Sequence, residues 1–575
     1  MDRLRVLLVM AMTISIIIIL LEWDGHFETD HIMLPAIRPA TVSFDYTIQR
    51  RTHEAATESV HPCTPPWRSS DNCTHQQVLG GDVDEQVLPN VKFDQTTSPY
   101  FTTVNVMERK TVYHINDKLV IKIQARDWRN EPKLYGGDFF RFKIFSMNPY
   151  SASREDEMTD FQNGTYFVYF TLRWSGKVNI SVTLIHPVEL LPQMTLTLSG
   201  KVGLNVTFVG QFVAGNVTED VICRYAELEW PFCNLSNPRT HGPWYCQKPK
   251  DPRLKCKDWK YHKMYKGTFL KLEENLSPLS KSLLMKSHMV KIPANLSVLV
   301  EDVLKRNLPI EDKRRMELSY CAMNGTPAGM HISGHFFQNK WYPNDCRVVD
   351  FSVDTGMKCL SHKTVVFLGD STIRQVFEYV KDYYKRYLVQ LPLPEGAIKG
   401  HGPVELKSVK DKISIKYHFH GLPSSGTGLV LRTDYIEYIV DRINSRKDGC
   451  EVVYVLSLWA HFIATGKIFY VRRLLAIKQA VTAFLDRCPR SKVIIKGANT
   501  KDHPAVWIAI VSSEWNIVQH ELELRKIFRE EKRVGFIDAF DITRVQPFKD
   551  QVHPDRKIVK EILNRILTYI CKTNQ

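Results

Sequence analysis

At Thr364–Leu368 the sequence runs apolar and β-branched, then breaks at Gly369-Asp370. From Ser371 onward the spacing changes, and Ile373, Val376, Phe377, Val380 and Tyr384 recur as on one face of a helix. A short apolar run reads as a buried strand and a 3.6-residue period as a helix. The stretch therefore predicts strand, tight turn and helix, with Ser371 at the turn. Two roles suit that serine. As a nucleophile, its hydroxyl stands at the carboxyl end of a strand, where the N–H groups of the helix's first turn face any oxyanion formed beside it. As a plain helix N-cap, it does no chemistry.

A second piece lies near the chain's end. Asp550-Gln-Val-His553-Pro precedes a helix that carries Ile558, Val559, Ile562, Leu563, Ile566 and Ile570 on one face. A loop histidine with a carboxylate three residues earlier supplies a general base and a group to orient it. The order Gly369-Asp370-Ser371 then Asp550-x-x-His553, with the wider string Leu368–Gln375, resembles the SGNH/GDSL-type acyl esterases in their PC-esterase branch. The resemblance favours catalysis, with Ser371 attacking, His553 relaying the proton and Asp550 holding the imidazole. Asp370 is expected to stabilise the turn. Arg374 either positions an acidic substrate or ties the helix down, the second being the simpler reading.

From residue 346 the pattern is α/β throughout. Strands are expected at Thr364–Leu368, Lys412–Phe419, Val452–Leu458, Lys492–Lys496 and Val534–Ile537, with helices at Val471–Leu485 and Trp515–Glu530. Alternation of this kind gives a mostly parallel sheet covered on both faces, with ligands beyond the strands' carboxyl ends. Residues 346–575 are thus read as an SGNH-hydrolase-like domain.

With 575 residues and 44% apolar content, the chain is too long for one domain and greasy enough to bury several cores. Its start is basic, and Val6–Leu21 carries no charge. Those 16 residues span about 24 Å as a helix, close to what a thin early-secretory membrane needs. Residues 1–23 are read as a signal-anchor with Arg3 and Arg5 on the cytosolic side, as in a type II Golgi protein. Cleavage and secretion are the alternative. Nine sequons, at Asn72, Asn163, Asn179, Asn205, Asn216, Asn234, Asn275, Asn295 and Asn324, all precede the Gly-Asp-Ser turn, as a glycosylated lumenal surface would have. Twelve cysteines suit an oxidising compartment. Cys223, Cys233, Cys246 and Cys256 are spaced for disulfides rather than zinc, and no metal is expected. Cys450 and Cys488 bracket a strand and a helix and are expected to pair.

Residues 24–95 are rich in Pro, Thr and Ser and read as a stem, pinched by Cys63 and Cys73. Then Leu119–Ala125, Phe139–Phe145, Tyr166–Leu172 and Val178–Leu184 alternate or carry β-branched and aromatic residues between turns, predicting a β-sandwich. Asp160–Tyr166 and Trp174–Ser181 resemble the neurexophilin-like, immunoglobulin-like domain, assigned to 96–265 with a cysteine-rich end. Joined to a PC-esterase domain, it makes the chain similar to the neurexophilin and PC-esterase domain family. That resemblance implies a possible neurexin-like ligand, although such modules also serve as spacers. Trp230, Trp244, Tyr245, Trp259 and Tyr261 either stack on sugar or fill a small core, the latter being commoner. Residues 266–345 are read as a connecting region.

The family pattern draws oxyanion donors from the serine N–H, a glycine in a second block and an asparagine in a third. Gly421 fits the second. At the third, Ser457-Leu-Trp-Ala-His461 has neither glycine nor asparagine. His461 is either a substitute donor or a core histidine, and Asn499 follows a later strand. The acyl acceptor is water or a sugar hydroxyl, giving an O-acetylesterase or an O-acetyltransferase. Family and lumenal address together imply a glycan, with sialylated glycoconjugates the natural target. A net charge of +15 fits an acidic glycan or glycoprotein, and the lumenal address excludes nucleic acid. No bound cofactor is expected. A transferase needs an acetyl donor such as acetyl-CoA, present in the lumen or delivered there. The reading from another class is a binding protein on a lapsed esterase fold.

Overall fold

Five parallel strands form the frame of the C-terminal half: β1 (Thr364–Gly369), β2 (Ile413–Phe419), β3 (Val452–Ser457), β4 (Lys492–Lys496) and β5 (Val534–Ile537). Their order is β2-β1-β3-β4-β5. Two antiparallel strands, Val404–Ser408 and Val389–Gln390, extend the β2 edge. The order in which strands are added reverses between β1 and β3, and a crevice opens there at their carboxyl ends. The computed structural model describes residues 91–199, 207–225, 231–264, 276–302, 317–395, 400–423, 430–502, 509–510, 513–547 and 552–572. All of these belong to one compact unit, Thr74–Gln575.

Helices cover both faces of the sheet. We label them α1 (Ser371–Tyr383), α2 (Lys467–Arg487), α3 (Glu514–Phe528), α4 (Ala539–Arg544) and α5 (Arg556–Cys571). Ile373, Val376, Phe377 and Val380 of α1 pack with Ile558, Ile562 and Ile566 of α5 over one face. Leu474, Ile477 and Val481 of α2 cover the other. β1, β3, β4 and β5 are buried on both sides, so their residues of either parity are mostly apolar and the sequence shows runs, whereas β2 alternates, with Ser414 and Lys416 half-buried. The Cys359–Cys571 disulfide ties the helix before β1 to the end of α5, and Cys450–Cys488 bridges the pair expected from sequence. Cys321–Cys346, Cys223–Cys246 and Cys233–Cys256 complete the disulfides among the described residues. No group of three or more metal-ligating side chains occurs among them.

The sandwich is present as two sheets sharing one core. Lys118–Gln124 and Thr165–Thr171 lie in a four-stranded sheet, and Phe139–Met147 and Gly176–His186 in an eight-stranded one. Ile121, Val168, Phe142 and Val182 meet between them. Within 266–345, the expected connecting region, Val290–Lys291 and Ser297–Glu301 pair with Gly176–His186. The hairpin Gly334–Phe337 with Lys340–Pro343 pairs with Tyr150–Ser153. That region therefore completes the sandwich instead of only linking it to the next domain. Long-range pairing of short strands leaves no mark in local periodicity.

The cysteine-rich end is a further six-stranded sheet, and its edge strand Val430–Arg432 comes from the C-terminal half. Trp244 is buried there against Phe208 and His262, as core filling requires. Among the described sequons, Asn163, Asn216, Asn234, Asn295 and Asn324 are exposed, whereas Asn179 is half-buried with its amide donating to the Phe145 carbonyl. Asn72, Asn205 and Asn275, together with Cys63, Cys73, the apolar segment Val6–Leu21 and the stem to residue 90, lie outside the described residues. Among those described, no helix is long and apolar enough to cross a membrane.

Candidate active site

Gly369 ends β1 opposite Phe419 of β2 and Ser457 of β3. A Cβ there would stand 2.1 Å from the Ser457 carbonyl oxygen, so only glycine lets β3 pass this closely. Asp370 follows as the N-cap of α1 and is fully buried. Its Oδ1 accepts from the Thr372 N–H (2.9 Å) and hydroxyl (2.6 Å), and its Oδ2 from the N–H groups of Trp459 (3.2 Å) and Ala460 (3.1 Å). One carboxylate thus fixes both the turn and the segment leaving β3. Its reach to the third block was not visible in sequence.

Ser371 opens α1, half-buried, and its hydroxyl oxygen lies within hydrogen-bond distance of His553 Nε2, at 2.7 Å. The two residues are 182 positions apart and meet because β1 and the loop before α5 both end at the crevice. His553 as a residue remains exposed. Protein packed around its ring nevertheless costs the imidazolium hydration, and Arg374, Lys501 and Lys496 add repulsion, so its pKa lies below 6.5 with Asp370 opposing. The ring is therefore neutral near pH 7, the form that takes a proton from serine. Asp550 lies outside the described residues.

The peptides on either side of His553 are both anchored. Gln375 Nε2 on α1 donates to the Pro554 carbonyl (2.7 Å), and Asn499 Nδ2 donates to that of Val552 (3.0 Å). Asn499 is buried, and its Oδ1 accepts from Lys496 Nζ (2.8 Å). From sequence, Asn499 only follows a later strand and is not assumed to stand in as an oxyanion donor. Its amide is instead committed to the histidine loop.

Gly421 sits two residues beyond the partner of Gly369, at the same end of the sheet as Ser371. Its φ of +83° is one that glycine adopts without strain, and a Cβ would strike the Tyr438 ring at 2.5 Å. Buried Arg473 of α2 donates to the neighbouring Leu422 carbonyl (2.9 Å) while lying over Tyr438 and Phe469, which fixes this loop. In the third block, the Trp459 and Ala460 N–H groups are consumed by Asp370. His461 packs on Phe419 and His420, and burial pulls its pKa down to about 4, leaving a neutral ring beside the crevice. Arg374 donates to the Gly400 carbonyl (2.5 Å) and pairs with Glu378 (3.2 Å), the tethering role preferred from sequence.

Residues 341–571 match the family model described as NXPE family member 4-like, C-terminal domain, and residues 86–278 match the neurexophilin model. Three solved structures are similar over part of the chain. A candidate acylhydrolase from Bacteroides fragilis shares 16% identity over 36% of this chain and 86% of its own, at a TM-score of 0.23. A candidate GDSL-like lipase from Parabacteroides merdae shares 11% over 36% and 97%, at 0.22. The ZirS C-terminal domain shares 15% over 25% and 86%, at 0.14. At these scores the likenesses add nothing to the strand order and site geometry described above.

Proposed function

Because the chain belongs to the NXPE family, with that family's C-terminal domain behind a neurexophilin domain, we propose that it is a serine-dependent acyl-transfer enzyme acting on glycans. The carrying observation is the 2.7 Å contact between the Ser371 hydroxyl and His553 Nε2 at the head of α1. Neutral His553 accepts the hydroxyl proton as Oγ attacks an acyl carbonyl. The tetrahedral oxyanion forms against the Ser371 N–H at the start of the helix, with Gly421 the second donor and His461 a third. Collapse expels the leaving group, an alkoxide from an ester or a thiolate from a thioester donor, which takes the proton back from His553 and leaves an acyl group on Ser371. An incoming hydroxyl then gives its proton to His553 and attacks the acyl carbonyl, and the released Ser371 alkoxide takes that proton back from His553. Asp550 fills the orienting role.

A sugar hydroxyl as acceptor makes the enzyme an O-acetyltransferase, and water makes it an O-acetylesterase. Sialylated glycoconjugates are the proposed substrate, supported by the net charge of +15 and by Lys501 near His553. Five disulfides fit an extracellular or secretory-pathway protein, and we place the enzyme in the Golgi lumen, with an acetyl donor such as acetyl-CoA as co-substrate. The test is mass spectrometry of glycans released from cells expressing wild type or Ser371→Ala. A gain of O-acetyl on sialic acids that the substitution abolishes identifies a transferase, and a loss identifies an esterase. An unchanged profile together with no fluorophosphonate labelling of Ser371 refutes the catalytic reading. It would favour a binding protein on a lapsed esterase fold, the reading supported by the commitment of both third-block N–H groups to Asp370.

A further inference from the structure

Lys496 ends β4 fully inside the protein. Its ammonium donates to Asn499 Oδ1 (2.8 Å), to the Gly497 carbonyl (3.0 Å) and, at a longer 3.4 Å, to the Thr372 hydroxyl. An ammonium carries three N–H bonds, and here three acceptors face it. Each acceptor leads elsewhere. The Thr372 hydroxyl gives its own proton to Asp370 and also accepts from Trp459 Nε1 (3.1 Å), so it belongs to the turn that carries Ser371. Asn499 turns its oxygen to Lys496, which leaves its NH2 for the Val552 carbonyl, one peptide before His553. Lysine cannot accept, so this bond also fixes the orientation of the amide.

We infer that Lys496 is a positioning residue which joins the serine turn to the histidine loop, through Thr372 on one side and Asn499 on the other. The inference rests on the acyl-transfer reading. It adds a buried cation that holds the separation of nucleophile and base without touching substrate. A buried ammonium is costly unless its protons are bonded and its charge is answered. Asp370 at the head of α1 and Glu521 of α3 supply the opposite charge, Glu521 being shared with Arg525, while the His553 ring faces Lys496 from the loop. Burial still pulls the ammonium down to about 8. Above that pH Lys496 loses one N–H, one acceptor goes without its donor, and the link loosens.

Fluorophosphonate labelling of Ser371 in the full chain, followed between about pH 6 and about pH 10, tests this with wild type, Lys496→Met, Thr372→Val and Thr372→Ser. Backbone hydrogen exchange around His553 is read on the same samples. The expected result is labelling slowed about tenfold to a hundredfold in Lys496→Met and Thr372→Val. The alkaline decline of wild type should be missing from Lys496→Met, exchange at Val552 and His553 faster, and the wild-type rate kept by Thr372→Ser. A Lys496→Met protein that labels at the wild-type rate with the wild-type alkaline limb overturns the inference and leaves the Ser371–His553 reading intact. If wild type itself fails to label, the catalytic reading falls. Exchange then decides: faster exchange at Val552 and His553 in Lys496→Met retains the structural link, and unchanged exchange ends it. Should Lys496→Met not fold, Asn499→Ala, which deletes the amide held to Val552, reads the same link by the same criteria.

Discussion

Replacing Asp370 with asparagine changes one atom and tests the centre of the site. The carboxylate accepts four hydrogen bonds, two on each oxygen, in a fully buried position. An asparagine has one acceptor oxygen, and its NH2 only donates. With the oxygen kept toward Thr372, the NH2 faces the Trp459 and Ala460 N–H groups, and those two buried donors are left without acceptors. Each costs about 1–3 kcal/mol, so Asp370→Asn should lose about 2–6 kcal/mol. Flipping the amide moves the cost to the Thr372 N–H and hydroxyl without reducing it. Urea unfolding followed by tryptophan fluorescence measures the loss as a lower midpoint at unchanged slope. The same protein should label poorly at Ser371, because the turn and the third block are no longer held together. A midpoint equivalent to less than about 1 kcal/mol of destabilisation would refute the view that Asp370 is the tie between them.

Labelling of wild type should hold its plateau below pH 6.5 and fall only as the depressed His553 pKa is crossed, since protonation removes the base; a midpoint above 6.5 in the rate profile contradicts the electrostatics described. Arg154 of the sandwich pairs with Asp541 of α4 (2.8 Å), and Glu155 pairs with Arg544 (3.2 Å), all four buried. Arg154→Met strands these charges and should cost about 3–5 kcal/mol, read as a lower unfolding midpoint, with much of the loss recovered in Arg154→Met/Asp541→Leu. Cys359→Ser/Cys571→Ser opens a loop with a sequence separation of 212 and should destabilise by about 5 kcal/mol on the chain-entropy model, measured by urea unfolding against the oxidised wild type.

Much of the catalytic half was legible because its signals are local. The strands Lys492–Lys496 and Val534–Ile537 fall where the apolar runs put them, and the others differ by a residue at an end. The helix expected at Val471–Leu485 extends to Lys467–Arg487. Its first turn was missed because Lys467 and exposed Ile468 break the apolar face. Ser371 and His553 were found by type and order. Gln375 and Asn499, which hold the histidine loop, were not assigned that role. Their partners are backbone carbonyls 179 and 53 residues away, and a carbonyl looks the same whatever side chain it precedes. Arg473 escaped for the same reason, its partner being the Leu422 carbonyl 51 residues away.

Local sequence dictates the periods: which segments are strands and which helices, that a serine sits where a strand turns into a helix, and that a histidine waits before the last helix. Periodicity follows from how each residue divides apolar from polar surface, and that is settled within a few positions of the chain. Long-range packing sets which strand ends lie side by side, and hence that Asp370 holds the third block, that Lys496 faces both Thr372 and Asn499, and that residues 266–345 complete the sandwich. Those facts depend on sheet order and long-range pairing. The free energy of such pairing comes from the whole packed core, and no single stretch of sequence carries its sign.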